Sequence, residues 1–426
     1  MSESEFRIQP FPALVFNGER AGRLADLIAP PYDLIDKTLQ QHLYSRSAYN
    51  IVRLELNRDP DPYASAAATL ARWTTGGVLQ RVKPAIFLYT QAFELNRQKF
   101  TRNGWVARIR LEEFASGRIL PHEQTFPKAK EDRLRLLMAT RANVSSVFGL
   151  YPSGNKELEG LTAHVLNRPP LLDATDDLGI SNQLRAIDTS EEITTIQRAL
   201  ERARLLIADG HHRYETALEY RRRQEPSPCP GNPRSEDYVM MTLVAFDDPG
   251  LIILPTHRVI NQLESDQIRN YAARIRENFK VEEFNDRENM IVQLQPRGRG
   301  YIGAAIKSMP LSILSLRDQD YMSPALPQAH KEVRKLDVAV LHGLILDEIL
   351  GITPQMVRSG SNVSYTIDGL AALSAVSSGA AAGAFLLNPP TVYDVEKVSH
   401  AGATMPEKST YFFPKLQTGL LINPLD

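Results

Sequence analysis

Apolar residues recur along this chain in two periods that take turns, roughly 3.6 residues in some stretches and two in others. No internal repeat or low-complexity block interrupts them. Alternation of that kind over 426 residues restricts the fold to α/β or α+β with mixed sheets. Ala85–Tyr89 and Val106–Leu111 read as an antiparallel strand pair joined by a turn-rich connection at Asn96–Gly104. Tyr63, Ala66, Leu70 and Trp73 fall on one helical face, and further helices are expected at Lys128–Arg141, Glu192–Ala203, Asp266–Phe279 and Leu336–Leu350. Ser146–Tyr151 reads as a strand. Gln224–Glu236 holds four prolines and no apolar period, so it reads as a loop. Asn182–Glu192 is polar and aperiodic, which suggests two lobes, 1–190 and 191–426, within one unit.

Charge and cysteine content exclude several classes. With 49 Lys plus Arg against 50 Asp plus Glu, the chain lacks the cationic excess by which proteins hold nucleic acid through counterion release. Cys229 is the only cysteine, so no disulfide can form within the chain, and no base stands beside it to lower its pKa. Met1–Glu5 is acidic where a signal peptide is basic, so a cytoplasmic location is expected. Gly369–Tyr393 carries no charge, but Ala, Ser and Gly dominate it and two prolines close it. It reads as a helix at Leu370–Val376, a turn, and a buried strand at Ala384–Leu387, not as a membrane span.

The chemistry-bearing residues gather at strand and loop ends. Leu205–Ala208 reads as a buried strand, Asp209-Gly210 as the turn at its carboxyl end, and Arg213–Arg223 as the following helix. His211, His212 and Arg213 then stand at a helix amino terminus, where backbone N–H groups and the dipole favour an anion. The plain alternative is that Asp209 caps the helix, which leaves His-His-Arg unexplained. A zinc site is disfavoured, because adjacent histidines reach one ion poorly and cysteine ligands are lacking. His122, Glu123 and Thr125 lie between Pro121 and Pro127, either as a site loop or as caps for the next helix. His257-Arg258 ends an apolar strand, and Lys408, Thr410 and Lys415 form a last cluster that lacks the glycines of a Walker A loop. Together these clusters suggest a small polyanionic ligand.

Ala29-Pro30-Pro31-Tyr32-Asp33, Pro121–Thr125, the ADGHHRYETAL stretch at 208–218, Pro255–Arg258 and Met405–Leu420 resemble, in order, the family known as domain of unknown function 1015. The DGHHR stretch is also similar to the phosphate-binding motif of the free serine kinases, which share a core with ParB and sulfiredoxin. That resemblance implies a ParB/sulfiredoxin-like core with additional α/β elements. It also implies a phosphotransferase that converts free L-serine to O-phosphoserine, with ATP, ADP or pyrophosphate as donor and Mg²⁺ or another divalent cation as cofactor. The motif has no cysteine, which argues against the sulfinic-acid reduction of sulfiredoxin.

Phosphoryl transfer asks a protein mainly for positioning, charge neutralisation and a proton acceptor. In this light Gly210, His211, His212 and Arg213 are expected at the donor phosphates, with His212 and Asp209 among the catalytic groups and Asp209 also as the metal ligand or the group orienting the acceptor hydroxyl. Glu123 is the expected general base, Arg258, Lys408 and Thr410 neutralise the outer phosphate, and Asn50, Arg53, His122 and His257 contact the substrate. Two other classes stay open: a ParB-like nucleotide- and DNA-binding protein, with Arg221-Arg222-Arg223 as its basic strip, and a phosphohydrolase using the same phosphate site. Oligomeric state, donor and acceptor are not fixed by the sequence.

Overall fold

The structure is a computed structural model that describes residues 7–123, 127–224, 233–317, 326 and 329–425. Cys229 and most of its proline-rich loop, and Gln124–Phe126, lie outside the described residues. The fold is mixed α/β. The chain divides into two contact units: residues 1–121, 125–252 and 414–426 form unit 1, and residues 122–124 and 253–413 form unit 2. The boundary expected near residue 190 therefore does not hold. Asn182 to Ile187 belongs to a strand, Ser181–Ile187, paired on both sides within the sheet of unit 1, in which Asn182 is buried and hydrogen-bonded to Tyr89 and Gln91.

Unit 1 is built on a nine-stranded mixed sheet. In spatial order its strands are Ile119–Leu120, Leu205–Asp209, Val147–Tyr151, Tyr238–Ala245, Gln98–Arg110, Ile86–Leu95, Ser181–Ile187 and Leu172–Thr175, with Ile8–Gln9 also paired to Gln98–Arg110. The hairpin at its centre is longer than expected. Ile86–Leu95 and Gln98–Arg110 are joined by Asn96 and Arg97 alone, at φ 51° and 64°. Two consecutive left-handed residues give the tight turn whose twist matches the paired strands. Trp105, Ala107 and Ile109 alternate onto the face that packs Leu205, Ile207, Tyr214, Ala217 and Leu218. A second core gathers Leu14, Leu43, Ile51, Leu54, Leu70 and Trp73 around the helix Pro62–Thr75, which opens on Pro62 and is capped by Asp61.

The carboxyl-terminal segment closes unit 1. Thr418 bridges Ala29, Ile422 bridges Leu14, and Asn423-Pro424 pairs with Ala142-Asn143. Unit 2 holds a six-stranded sheet in the order Phe279–Phe284, Leu311–Leu316, Tyr301–Ile306, Gly383–Leu387, His257–Ile260 and Val363–Thr366, in which every pair is antiparallel. The helices Arg287–Leu294 and Gly369–Ser377 bury Met290, Leu294, Ala372 and Leu373 against it. The uncharged stretch after Gly369 is this helix and the buried strand Gly383–Leu387, as its composition indicates. Among the described residues no helix is long and apolar enough to cross a membrane. The helix expected at Leu336–Leu350 is α-helical over Asp337–Val340 and then widens to a π-helix over Leu341–Ile349, a rare geometry that often marks a functional or strained position.

Candidate phosphate and proton-transfer groups

In unit 1 the strand Leu205–Asp209 runs into the 13-residue helix His211–Arg223 through Gly210. Gly210 has φ +88°, and a Cβ there would lie 2.9 Å from Arg213 Nε, so the turn requires glycine. A register shift between Ile207 and Asp209 re-aims the strand end. Asp209 pairs with two cations. Its Oδ2 accepts from Arg213 Nη2 at 2.8 Å and its Oδ1 from Lys415 Nζ at 2.5 Å. Arg213 Nη1 also donates to the Ser146 carbonyl at 2.5 Å. The first turn of the helix carries His211, buried, and His212, partly exposed.

The groups around this turn are held by long-range contacts. Arg102, 1% exposed, donates to Gln91 and to the Pro414 carbonyl and lies 4.8 Å from the Phe148 ring centre. Burial pushes its guanidinium down to about 10. The Lys415 carbonyl accepts from Gln91. Tyr32, of the APPYD motif, stacks on Arg133, whose guanidinium reaches Glu55 and Asp132; burial pushes the Tyr32 phenol up to about 12.

Asn50 and Arg53 also belong to unit 1, and their bonds serve the backbone. Asn50 is fully buried, donates to the carbonyls of Asp26 and Ile28 and accepts from Val52 N–H. Arg53 donates to the carbonyls of Ser47 and Tyr44 and stacks on the Tyr44 ring. The Arg221-Arg222-Arg223 strip is paired with Glu113 and Glu219, which suits a solvated helix end.

The remaining expected residues fall in unit 2. His122 Nε2 and Thr410 Oγ1 are 2.9 Å apart, and Thr410 donates to Glu123 Oε1 at 3.4 Å. Imidazole, hydroxyl and carboxylate thus form a chain along which a proton can pass. Met405 N–H donates to the His122 carbonyl, and His122 meets the Phe412 ring edge-on. Lys408 is exposed at φ 54°, an uncommon conformation for a side-chain-bearing residue. His257 Nδ1 accepts from Leu387 N–H at 3.2 Å.

Arg258 departs from its expected role. It is fully buried, and its donors reach the carbonyls of Thr256, Glu407 and Lys408 and the Nε2 of His342, with the Tyr365 ring 5.3 Å from its carbon centre. It brackets the loop that carries Lys408 and Thr410 and presents no open face to a phosphate.

Sequence reasoning assigned no role to Lys415, Arg102, His342 or Tyr365. Only Lys415, beside Lys408 and Thr410, carried any signal. Asp209, the expected metal ligand, has both carboxylate oxygens at hydrogen-bond distance from cations, Arg213 and Lys415, so a divalent ion held there would displace those contacts.

The buried groups of unit 2 give an acid dependence with a definite sign. Burial, reinforced by Arg258, pushes His257 down to about 4 and His342 to about 3, whereas burial pushes Asp337 up to about 7. Below their ordinary value of 6.5 the imidazoles protonate only in the unfolded chain, so stability falls as pH falls. Asp337 works in the opposite direction between its ordinary 3.8 and about 7, where only the folded form keeps the proton. From pH 6 to 4.5 the two imidazoles act against the raised carboxyls of Asp337 and Glu407, and the imidazoles set the sign, so unit 2 loses stability as pH falls. Denaturant unfolding across that range should show a positive slope of stability with pH for unit 2, and His342→Gln should make it clearly smaller. An unchanged slope in the variant would show that His342 is not the neutral acceptor.

These observations define a mixed α/β protein of two contact units, with a Gly-hinged strand-to-helix turn in one and a His–Thr–Glu chain in the other. The chain belongs to the DUF1015 family, described as a protein of unknown function, whose model matches residues 8–339. Curated proteins give no significant match. Among solved structures the chain is similar to a free serine kinase in complex with AMP, at 12% identity and a TM-score of 0.36, covering 69% of this chain and 83% of that one. It is similar to a conserved hypothetical protein from Pyrococcus furiosus, at 13% identity and a TM-score of 0.35, covering 70% and 89%. It is also similar to SbnI with a C-terminal truncation from Staphylococcus aureus, at 11% identity and a TM-score of 0.35, covering 75% and 87%.

Proposed function

We propose that this protein is a phosphotransferase acting on a small hydroxyl-bearing metabolite, with free L-serine as the leading acceptor and ATP, ADP or pyrophosphate as donor. The observation that carries the proposal is the turn at Gly210. It opens a 13-residue helix whose first turn, His-His-Arg, contains no acidic residue, and a helix amino terminus favours phosphate oxygens through its N–H groups and dipole. Lys415 and Arg213 neutralise Asp209, so the strand end does not repel an incoming anion. In this reading the backbone of Gly210–Arg213 and the side chains of His211 and His212 hold the donor phosphates. Within unit 2, Glu123, which accepts from Thr410 next to His122, is the proposed general base. No step is routed through a metal on Asp209.

The test is an incubation with ATP, ADP and pyrophosphate in parallel, against a panel of free amino acids and polyols, with detection of the phosphorylated product. His212→Ala should weaken donor binding. Glu123→Gln should lower turnover by roughly two to four orders of magnitude while leaving donor binding in place. Wild-type turnover in both variants would overturn the assignment. Release of inorganic phosphate from phosphoserine without transfer to an acceptor would favour a phosphohydrolase.

A further inference from the structure

Unit 2 contains a cavity of about 710 Å³ whose lining shares no residue with the groups assigned above to phosphate or proton handling. That volume lies within the range of small-molecule pockets, roughly 300–1,000 Å³. Its floor is apolar, formed by Phe279, Ile302, Leu314 and Val340, all buried. Its rim carries Lys280, Arg299, Arg334 and Lys335. Lys280 has no ion-pair partner among the described residues. Arg299 pairs with Asp394 at 3.0 Å and Lys335 with Glu332 at 3.2 Å, and neither of those carboxylates is among the described lining residues.

The one carboxyl group among the described lining residues is Asp337, which accepts the Gly300 N–H at 2.8 Å. Gly298 and Gly300, at φ +65° and +94°, fold the short turn that aims this N–H. We propose that the cavity binds an organic anion of about mononucleotide size, with an aromatic or apolar body on the floor and its acidic group among the rim cations. The apolar floor excludes a bare inorganic ion as the best occupant, since such an ion leaves that surface uncovered. Lys280, with no ion-pair partner among the described residues, favours an anionic occupant over a cationic one.

Asp337 adds a dependence on pH. Burial raises its carboxyl to about 7, with Asp394 reinforcing and Arg299 opposing the shift. Lys280 and Lys335 face the same space. Below pH 7 the group is uncharged and tolerates an anion; above it the carboxylate repels one. Affinity should therefore fall as pH rises from 6 to 8.

The probe is 8-anilinonaphthalene-1-sulfonate, an aromatic monoanion, titrated by fluorescence into the full-length protein. One saturable site is expected at pH 6. The double variant Lys280→Glu, Lys335→Glu changes two exposed side chains and should weaken binding by roughly tenfold or more. Asp337→Asn keeps an acceptor for Gly300 N–H and should remove the loss between pH 6 and 8. His212→Ala should titrate as wild type, which separates this cavity from the phosphotransferase reading. Wild-type affinity in the double variant, or a pH dependence that survives Asp337→Asn, would overturn the proposal.

Discussion

Removal of residues 414–426 is expected to unfold unit 1, although the match to the family model ends at residue 339. Leu416, Leu420, Leu421, Ile422 and Leu425 are all buried. Losing one large apolar side chain from a core costs about 2–5 kcal/mol, so together the five are worth on the order of 10 kcal/mol, comparable with the whole stability of a domain. The polar losses act in the same direction. Arg102 would lose the Pro414 carbonyl and remain a buried cation, Asn143 would lose Asn423, and Asp209 would lose Lys415. Far-UV circular dichroism and the emission of the buried Trp105 measure the outcome. A peptide of residues 414–426 added in trans should restore part of the signal. Retention of a cooperative, native-like melt in the truncated chain would show that the segment is an accessory.

The strand, turn and helix at 205–223 were legible in the sequence because three local signals agree: a short apolar run, Asp-Gly, and apolar residues at helical spacing. Where the fold depends on buried polar groups, those signals fail. Asn182 is fully buried, yet it accepts from Tyr89 and Gln91 and donates to the Ile180 carbonyl. A strand whose inner face is satisfied this way has the composition of a linker, which is why the division near residue 190 does not hold. The hairpin turn was hidden for another reason: Asn96-Arg97 adopts a geometry usually signalled by glycine. The pairing of Asp209 with Lys415 spans 206 positions, and no local pattern encodes a contact at that distance. Arg258 shows the converse limit. A strand-end arginine reads as a ligand group whether it faces a cleft or, as here, the interior.

Replacing that residue, Arg258→Met, is expected to destabilise unit 2 by about 3–5 kcal/mol. Methionine fills much of the same volume but donates nothing, so the carbonyls of Thr256, Glu407 and Lys408 and the Nε2 of His342 lose a donor together. Each orphaned acceptor costs about 1–3 kcal/mol. The total is less than their sum, because burial already disfavours the cation, pushing it down to about 10, and removing the charge relieves that penalty. Arg258→Lys should recover little, since a tetrahedral ammonium cannot reproduce the planar fork that reaches four acceptors. The loop at Glu407–Thr410 should loosen first, and limited proteolysis there should accelerate before global unfolding does. Thr410 and Lys408 depend on Arg258 for position, because its guanidinium holds the Glu407 and Lys408 carbonyls. A variant that unfolds within about 1 kcal/mol of wild type, with the loop still protected, would show that the bracket is dispensable.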